Sequence, residues 1–207
     1  MSIESFGLYL VITQPSTSCE TCAEAAVKAN LRYVQLRMKK APRDRIVDVA
    51  NNIRSITRGT CTRFIVNDDP SIAEEVEADG VHLGQNDMQV TEARRLYPSL
   101  HLFGLSTHNE EQARLAAHLS LDYCGVGPVF ATPTKEIPDP ALGPTRAGAI
   151  IRNAPFTTVA IGGINETNLH DVLKAGAINF AVVRSVCLSA LPYDAIRRLQ
   201  DLWQSFR

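Results

Sequence analysis

What this chain lacks narrows its class. Net charge, long apolar runs, a paired set of cysteines and a glycine-rich dinucleotide fingerprint are all missing. Its 207 residues carry 21 Lys and Arg against 22 Asp and Glu, a formal net charge of −1. That balance excludes the broad basic face with which proteins grip nucleic acid or an anionic membrane. No apolar run approaches the ~20 residues that a membrane-spanning helix needs. The opening Met1-Ser2-Ile3-Glu4-Ser5 has neither the basic start nor the apolar stretch of a secretory signal. A soluble, cytoplasmic protein is therefore the expectation. The cysteines number five, Cys19, Cys22, Cys61, Cys124 and Cys187; an odd count in a well-cored chain argues against a disulfide framework. Cys19-Glu20-Thr21-Cys22 is a CxxC, but zinc would need a second CxxC or a pair of histidines, and a redox pair would need a thioredoxin-like surround. The expectation is a helix start whose thiols have no special role.

With 45% apolar and 21% charged residues, the chain can bury one substantial core, and a single domain over 1–207 is expected. Short apolar runs alternate with longer amphipathic stretches. The runs at 8–13, 33–37, 64–67, 80–83, 102–105, 123–127, 158–162 and 180–183 are apolar throughout or rich in β-branched residues, as buried parallel strands should be. Helical patterns fall at 23–30, 43–56, 109–118, 169–175 and 194–206. In the second of these Ile46, Val49, Ile53 and Ile56 share one face. Eight strand–helix units allow an open doubly wound sheet or a closed (β/α)₈ TIM barrel. The count of eight, and the absence of GxGxxG after the first strand, favour the α/β barrel. The one long connection, 131–142, carries Pro133, Pro138 and Pro140. Its place after the sixth strand makes it a candidate active-site loop.

In such a barrel the chemistry gathers at the C-terminal strand ends, and the polar residues of this chain keep to those ends. Gln35, Arg37 and Lys39 end strand two; Asn67 and Asp68 end strand three; Gln85 and Asp87 follow strand four. Ser106 and His108 follow strand five, Thr132, Thr134 and Lys135 follow strand six, Gly162-Gly163 ends strand seven, and Arg184-Ser185 ends strand eight. Arg37 and Lys39 share a strand face. Arg37 can grip a phosphate through two donors and Lys39 as a point charge, although a solvated basic turn with Lys40 is the plainer reading. Asp68 and Asp87 suit Mg²⁺, which takes one or two carboxylates and completes its shell with phosphate oxygens and water. The plainer reading makes each a helix cap, a task that Asp69 before Pro70 can take over from Asp68. Two acids on adjacent strand ends beside two cations tip the balance to a metal–diphosphate site. Gly162-Gly163 and the end of strand eight occupy the place where many barrels bind phosphate through backbone N–H groups. Two phosphate-competent zones imply two phosphorylated substrates, or one substrate with phosphates at both ends. His108 reads as structural or supporting, His82 as a packing residue, and Trp203 and Phe206 as the apolar face of the last helix.

The pieces Gln35-Leu36-Arg37-Met38-Lys39, Asn67-Asp68, Asp79-Gly80-Val81-His82-Leu83-Gly84-Gln85-Asn86-Asp87, Gly104-Leu105-Ser106-Thr107-His108, Gly125 through Lys135, Ala160-Ile161-Gly162-Gly163-Ile164 and Ala181-Val182-Val183 occur in order. In this the chain resembles the thiamine phosphate synthase (thiamine-phosphate pyrophosphorylase) family over nearly its whole length. The resemblance implies a Mg²⁺-dependent transferase. A hydroxymethylpyrimidine diphosphate loses pyrophosphate, and the nitrogen of a thiazole phosphate takes the exposed methylene, giving thiamine phosphate by a dissociative step. By the same resemblance Asp68 and Asp87 are the Mg²⁺ ligands, and Gln35, Arg37, Lys39 and Asn67 contact the pyrimidine diphosphate. Lys135 contacts pyrophosphate beside the reacting carbon, and Ser106 lines that site; Lys135, Arg37 and Ser106 form the catalytic set. Thr132 and Thr134 face the thiazole, and Gly163, with backbone from the strand-eight end, holds its phosphate. One position departs from the family pattern: Arg184 directly follows the strand-eight run where relatives carry Ser, so either Arg184 or Ser185 meets that phosphate.

Two other readings share the barrel. A thiazole tautomerase-like paralogue would carry His in the strand-six run, where this chain has Pro128, and would tend to lose the paired acids. A non-catalytic thiazole phosphate sensor would lose metal ligands or the strand-six Lys. The partners expected are small molecules, with no nucleic acid or membrane, and a homo-oligomer is compatible with the sequence.

Overall fold

The continuous apolar character of the short runs decides the architecture, because a strand buried on both faces must satisfy helices outside and other strands' side chains inside. In the computed structural model, which describes residues 3–134 and 139–207, all eight runs are strands: β1 (Leu8–Ile12), β2 (Tyr33–Leu36), β3 (Arg63–Asn67), β4 (Gly80–Leu83), β5 (Leu102–Thr107), β6 (Tyr123–Val126), β7 (Thr158–Ile161) and β8 (Phe180–Val182). Each pairs in parallel with the next, and β8 returns to β1 through Leu8 with Phe180 and Leu10 with Val182, closing the barrel. The helices between them are α1 (Cys19–Lys28), α2 (Arg43–Thr57), α3 (Pro70–Glu75), α4 (Val90–Leu96), α5 (Glu110–Ala116), α6 (Gly143–Asn153), α7 (Leu169–Lys174) and α8 (Arg184–Cys187), with α9 (Pro192–Phe206) closing the chain. None of the helices described is long and apolar enough to cross a membrane.

In β1, Leu8, Leu10 and Ile12 point outward into the layer shared with the helices, while Tyr9 and Val11 point into the barrel. Full burial stabilises each such aliphatic side chain by about 1.5–3 kcal/mol. The interior is a separate cluster of Tyr9, Val11, Tyr33, Ile65, Tyr123, Val159 and Ala181. Tyr9, Tyr33 and Tyr123 stand with ring centroids 5.4 to 5.7 Å apart, and Phe6 meets Tyr33 edge-on at 4.8 Å. These rings fill the N-terminal half of the barrel and leave its polar groups to the other end. Asn179 secures the seam: its Oδ1 accepts from the N–H groups of Phe6 and Gly7 at 2.7 and 3.0 Å, and its Nδ2 donates to the Glu4 carbonyl at 2.8 Å.

Helix ends follow local chemistry. Ser18 and Asn109 cap α1 and α5 through side-chain oxygens. Asp69 caps α3 by accepting from the N–H groups of Ser71 and Ile72, with Pro70 in the first turn. On α9 the two aromatics part company: Trp203 packs against Gly7 and donates to the Ile178 carbonyl at 2.9 Å, whereas Phe206 is exposed and meets His170 edge-on. Phe206 therefore extends the apolar face of α9 only at its exposed edge, against His170 of α7.

Candidate active site at the C-terminal mouth

With Asp69 committed to α3, Asp68 is free to face the mouth. Its backbone takes the left-handed region, φ 69°, and its N–H donates to the His82 carbonyl at 2.8 Å. Asp tolerates this conformation better than most residues, and such strain gathers where a side chain must be aimed. Lys39, from the segment after β2, places Nζ 2.8 Å from Asp68 Oδ2.

Asp87 is not the cap of α4. Gln89 holds that position, without a side-chain bond. Asp87 Oδ2 instead accepts from the Gly84 N–H at 2.6 Å, folding the Gly84-Gln85-Asn86-Asp87 turn back on itself. A Cβ on Gly84 would lie 3.0 Å from that same oxygen, so glycine lets the turn close. Burial raises the Asp87 pKa above the usual carboxylate range, and the Asp68 carboxylate in hydrogen-bonding reach raises it further; the Gly84 N–H and Lys39 pull the other way. Two carboxylates thus lie within hydrogen-bonding reach of each other, with one ammonium paired to Asp68. That donor set fits Mg²⁺, a hard cation content with two carboxylates when phosphate and water complete its shell. Among the described residues no three acids, histidines or cysteines converge on an all-protein metal cage, and a site completed by substrate phosphate needs none.

The other expected residues stand as follows in the fold. Arg37 is half-buried; burial lowers its pKa while Asp68 raises it, and guanidinium keeps its charge regardless. Asn67 ends β3 directly before Asp68. Gln35 is buried on β2 and donates from Nε2 to Tyr9 Oη at 3.0 Å. Ser106 Oγ lies 2.9 Å from His82 Nε2, and the Ser106 carbonyl accepts from Gln85 Nε2 at 2.6 Å.

The opposite side of the mouth is built by β6 to β8. Thr132 and Thr134 touch through their hydroxyls at 3.0 Å, and Thr132 lines a cleft of about 460 Å³ with Pro133, Asp139 and Pro140. Lys135 lies outside the described residues. His108 Nδ1 is 2.6 Å from the Gly127 carbonyl, and its Nε2 is 3.5 Å from Asp139 Oδ2, so the imidazole ties β5 to both ends of the β6–α6 connection. Gly162 and Gly163 have φ of 105° and 67°, and a Cβ on Gly163 would fall 2.7 Å from Phe130 Cβ; backbone is brought here to a proximity no side chain allows. Ser185 Oγ donates to the Ile164 carbonyl at 3.1 Å, binding α8 to the loop after β7, while Arg184 opens the helix.

All five cysteines are free thiols. Cys22 is fully buried, and burial pushes the Cys19 thiol up to about 11.

Sequence reasoning missed the part played by His82, Tyr9 and Tyr123. His82 does not simply pack: it stands between Tyr123 Oη and Ser106 Oγ. Strand alternation turns His82 and Tyr123 to the interior face, but only the register of the closed barrel sets His82, Gly104 and Tyr123 side by side across β4, β5 and β6.

The closed, eight-stranded parallel barrel with its alternating helices places the chain in the (β/α)₈ class. The thiamine monophosphate synthase family matches residues 8–186, and the chain belongs to that family. The thiamine-phosphate synthase of Methanospirillum hungatei is 40% identical over 199 residues, covering 95% of this chain and 97% of its own. That of Archaeoglobus fulgidus is 38% identical over 188 residues, covering 91% and 88%. The solved thiamine phosphate pyrophosphorylase from Pyrococcus furiosus superposes with a TM-score of 0.88 at 29% identity, covering 97% of this chain and 96% of that one.

Proposed function

We propose that this chain condenses a hydroxymethylpyrimidine diphosphate with a thiazole phosphate, releasing pyrophosphate and forming thiamine phosphate, and that it does so with Mg²⁺ between Asp68 and Asp87. The observation that carries this reading is the opposed acid pair with Lys39 across it, on a chain matched nearly end to end by thiamine-phosphate synthases.

When bound there, Mg²⁺ supplies positive charge to the departing pyrophosphate oxygens. Arg37 grips the diphosphate with its planar fork, and its partial burial leaves that attraction less screened than at the surface. Lys39 turns from Asp68 to the diphosphate. Gln35, Asn67 and Ser106 hold the pyrimidine. The methylene C–O bond breaks with its electron pair leaving on pyrophosphate, and the lone pair of the thiazole nitrogen forms the new C–N bond. Charge on the leaving group is thus what the residues must stabilise, in keeping with the cations Arg37 and Lys39 at the mouth. Thr132 and Thr134 line the thiazole side, and Gly163 receives its phosphate through backbone, with Ser185 joining if its hydroxyl proton turns from the Ile164 carbonyl. Lys135 takes the pyrophosphate contact that the family resemblance gives it.

The test is pyrophosphate release by purified protein with both substrates and Mg²⁺, with and without EDTA. Release that requires both substrates and the metal, with thiamine phosphate as co-product, supports the reading. Thiazole phosphate binding without release would turn it toward the tautomerase-like or sensor role.

A further inference from the structure

Four hydrogen bonds run without a gap through the barrel interior from Gln35 to Ser106. Gln35 Nε2 donates to Tyr9 Oη at 3.0 Å, Tyr9 Oη lies 2.8 Å from Tyr123 Oη, Tyr123 Oη lies 3.1 Å from His82 Nδ1, and His82 Nε2 lies 2.9 Å from Ser106 Oγ. Each phenol owns one proton, so the chain has a direction. Tyr9 accepts from Gln35 and donates to Tyr123. Tyr123 donates to His82 Nδ1. His82, neutral with its proton on Nε2, donates to Ser106. Burial raises the pKa of both phenols, so both keep the proton they must give. The strand beside them makes room: a Cβ on Gly104 would fall 2.3 Å from Tyr123 Cζ and 2.5 Å from His82 Nδ1, where the Tyr123–His82 bond passes.

We propose that Tyr9, Tyr123 and His82 are positioning residues that set the hydrogen-bond polarity of the pyrimidine pocket, presenting Gln35 Oε1 as an acceptor and the Ser106 hydroxyl as a donor. This rests on the reading that Gln35 and Ser106 hold the pyrimidine. The heterocycle edge that answers this pattern offers an N–H to Gln35 and a ring nitrogen to Ser106, which is the edge of an aminopyrimidine. An oxopyrimidine shows the reverse pattern, setting acceptor against acceptor and donor against donor. Neither end can reverse alone, because turning the Gln35 amide would require both phenol protons and the His82 tautomer to reverse with it. The buried chain therefore couples two contacts that a surface pair would adjust independently.

The His82 tautomer reports the state of the chain. Imidazole ¹⁵N NMR on histidine-labelled protein, with His82 identified by its loss in His82→Gln, is expected to show the neutral Nε2–H form. In Tyr123→Phe, which keeps the ring and removes the hydroxyl, that form should give way to a mixture. A wild-type Nδ1–H tautomer, or an unchanged tautomer in Tyr123→Phe, overturns the proposal. In turnover, the preference of kcat/KM for the aminopyrimidine diphosphate over its oxo counterpart should fall about tenfold in both Tyr123→Phe and Tyr9→Phe. KM for the thiazole phosphate should stay as in wild type. A preference that survives both variants also overturns it. If wild-type protein makes no thiamine phosphate, the proposed function fails by itself, and the tautomer measurement still decides the chain of hydrogen bonds.

Discussion

Lys39 Nζ stands 2.8 Å from Asp68 Oδ2, and the same Asp68 carboxylate raises the pKa of Asp87. One ammonium thus offsets the mutual repulsion of two acids in the position from which it can also meet a diphosphate. Lys39→Gln removes that charge while keeping much of the side chain. Its melting temperature near neutral pH should fall below wild type and be restored by Mg²⁺. KM for the pyrimidine diphosphate should rise about tenfold, since a charge-assisted contact is lost. Steady-state kinetics with thermal melts checks both, and an unchanged KM would remove Lys39 from the diphosphate site.

The Asp87 shift has a definite sign. Its pKa in the folded chain is raised above an unfolded value of about 3.9. Its contribution to stability is therefore fully present below that unfolded value and is lost as pH rises through the folded one. Near neutral pH the acid pair costs stability unless a cation sits between its members. Mg²⁺ should therefore raise the melting temperature more at about pH 7.5 than at about pH 4, and Asp87→Asn should abolish the difference. The same variant should lower kcat/KM by about 100-fold or more, as removal of a group serving charge in the transition state does. Melting curves across pH with and without Mg²⁺ decide the first point, and full Mg²⁺-dependent turnover in Asp87→Asn would end the metal assignment.

Gly163 tests the phosphate pocket on the other side of the mouth. A methyl group there meets Phe130 Cβ at 2.7 Å and the Ala131 carbonyl oxygen at 2.8 Å, on a backbone with φ 67°. Gly163→Ala should cost about 1–3 kcal/mol of stability. It should also raise KM for the thiazole phosphate more than KM for the pyrimidine diphosphate. Denaturant unfolding and two-substrate kinetics read both effects; equal rises would point to general loosening of the mouth.

The thiols separate cleanly. Cys61 is exposed, Cys22, Cys124 and Cys187 are buried, and burial pushes Cys19 up to about 11 and Cys124 up to about 12. Since the thiolate is the reactive form, titration of native protein with an aromatic disulfide at neutral pH should modify a single thiol quickly. Cys61→Ser should remove that fast phase. A fast phase that persists would place the reactivity at the CxxC.

The eight strands and their parallel order are legible from local pattern alone, since a strand buried on both faces leaves an apolar run and a barrel leaves eight of them. Asp69 as the cap of α3 is legible for the same reason, because Asp before Pro satisfies N–H groups a few residues away. So are the strand-end acids and cations, because side chains at strand ends have few places to go but the mouth. Tertiary structure alone decided the rest. It alone made Asp87 a turn acceptor for Gly84, where the run of sequence equally allows a helix cap. It left Phe206 exposed beside His170 of α7, a neighbour that the helix repeat does not name. It also joined Gln35, Tyr9, Tyr123, His82 and Ser106, drawn from five different strands. Hydrogen bonds depend on distance and direction between groups that meet only when the barrel closes, and those no local pattern encodes.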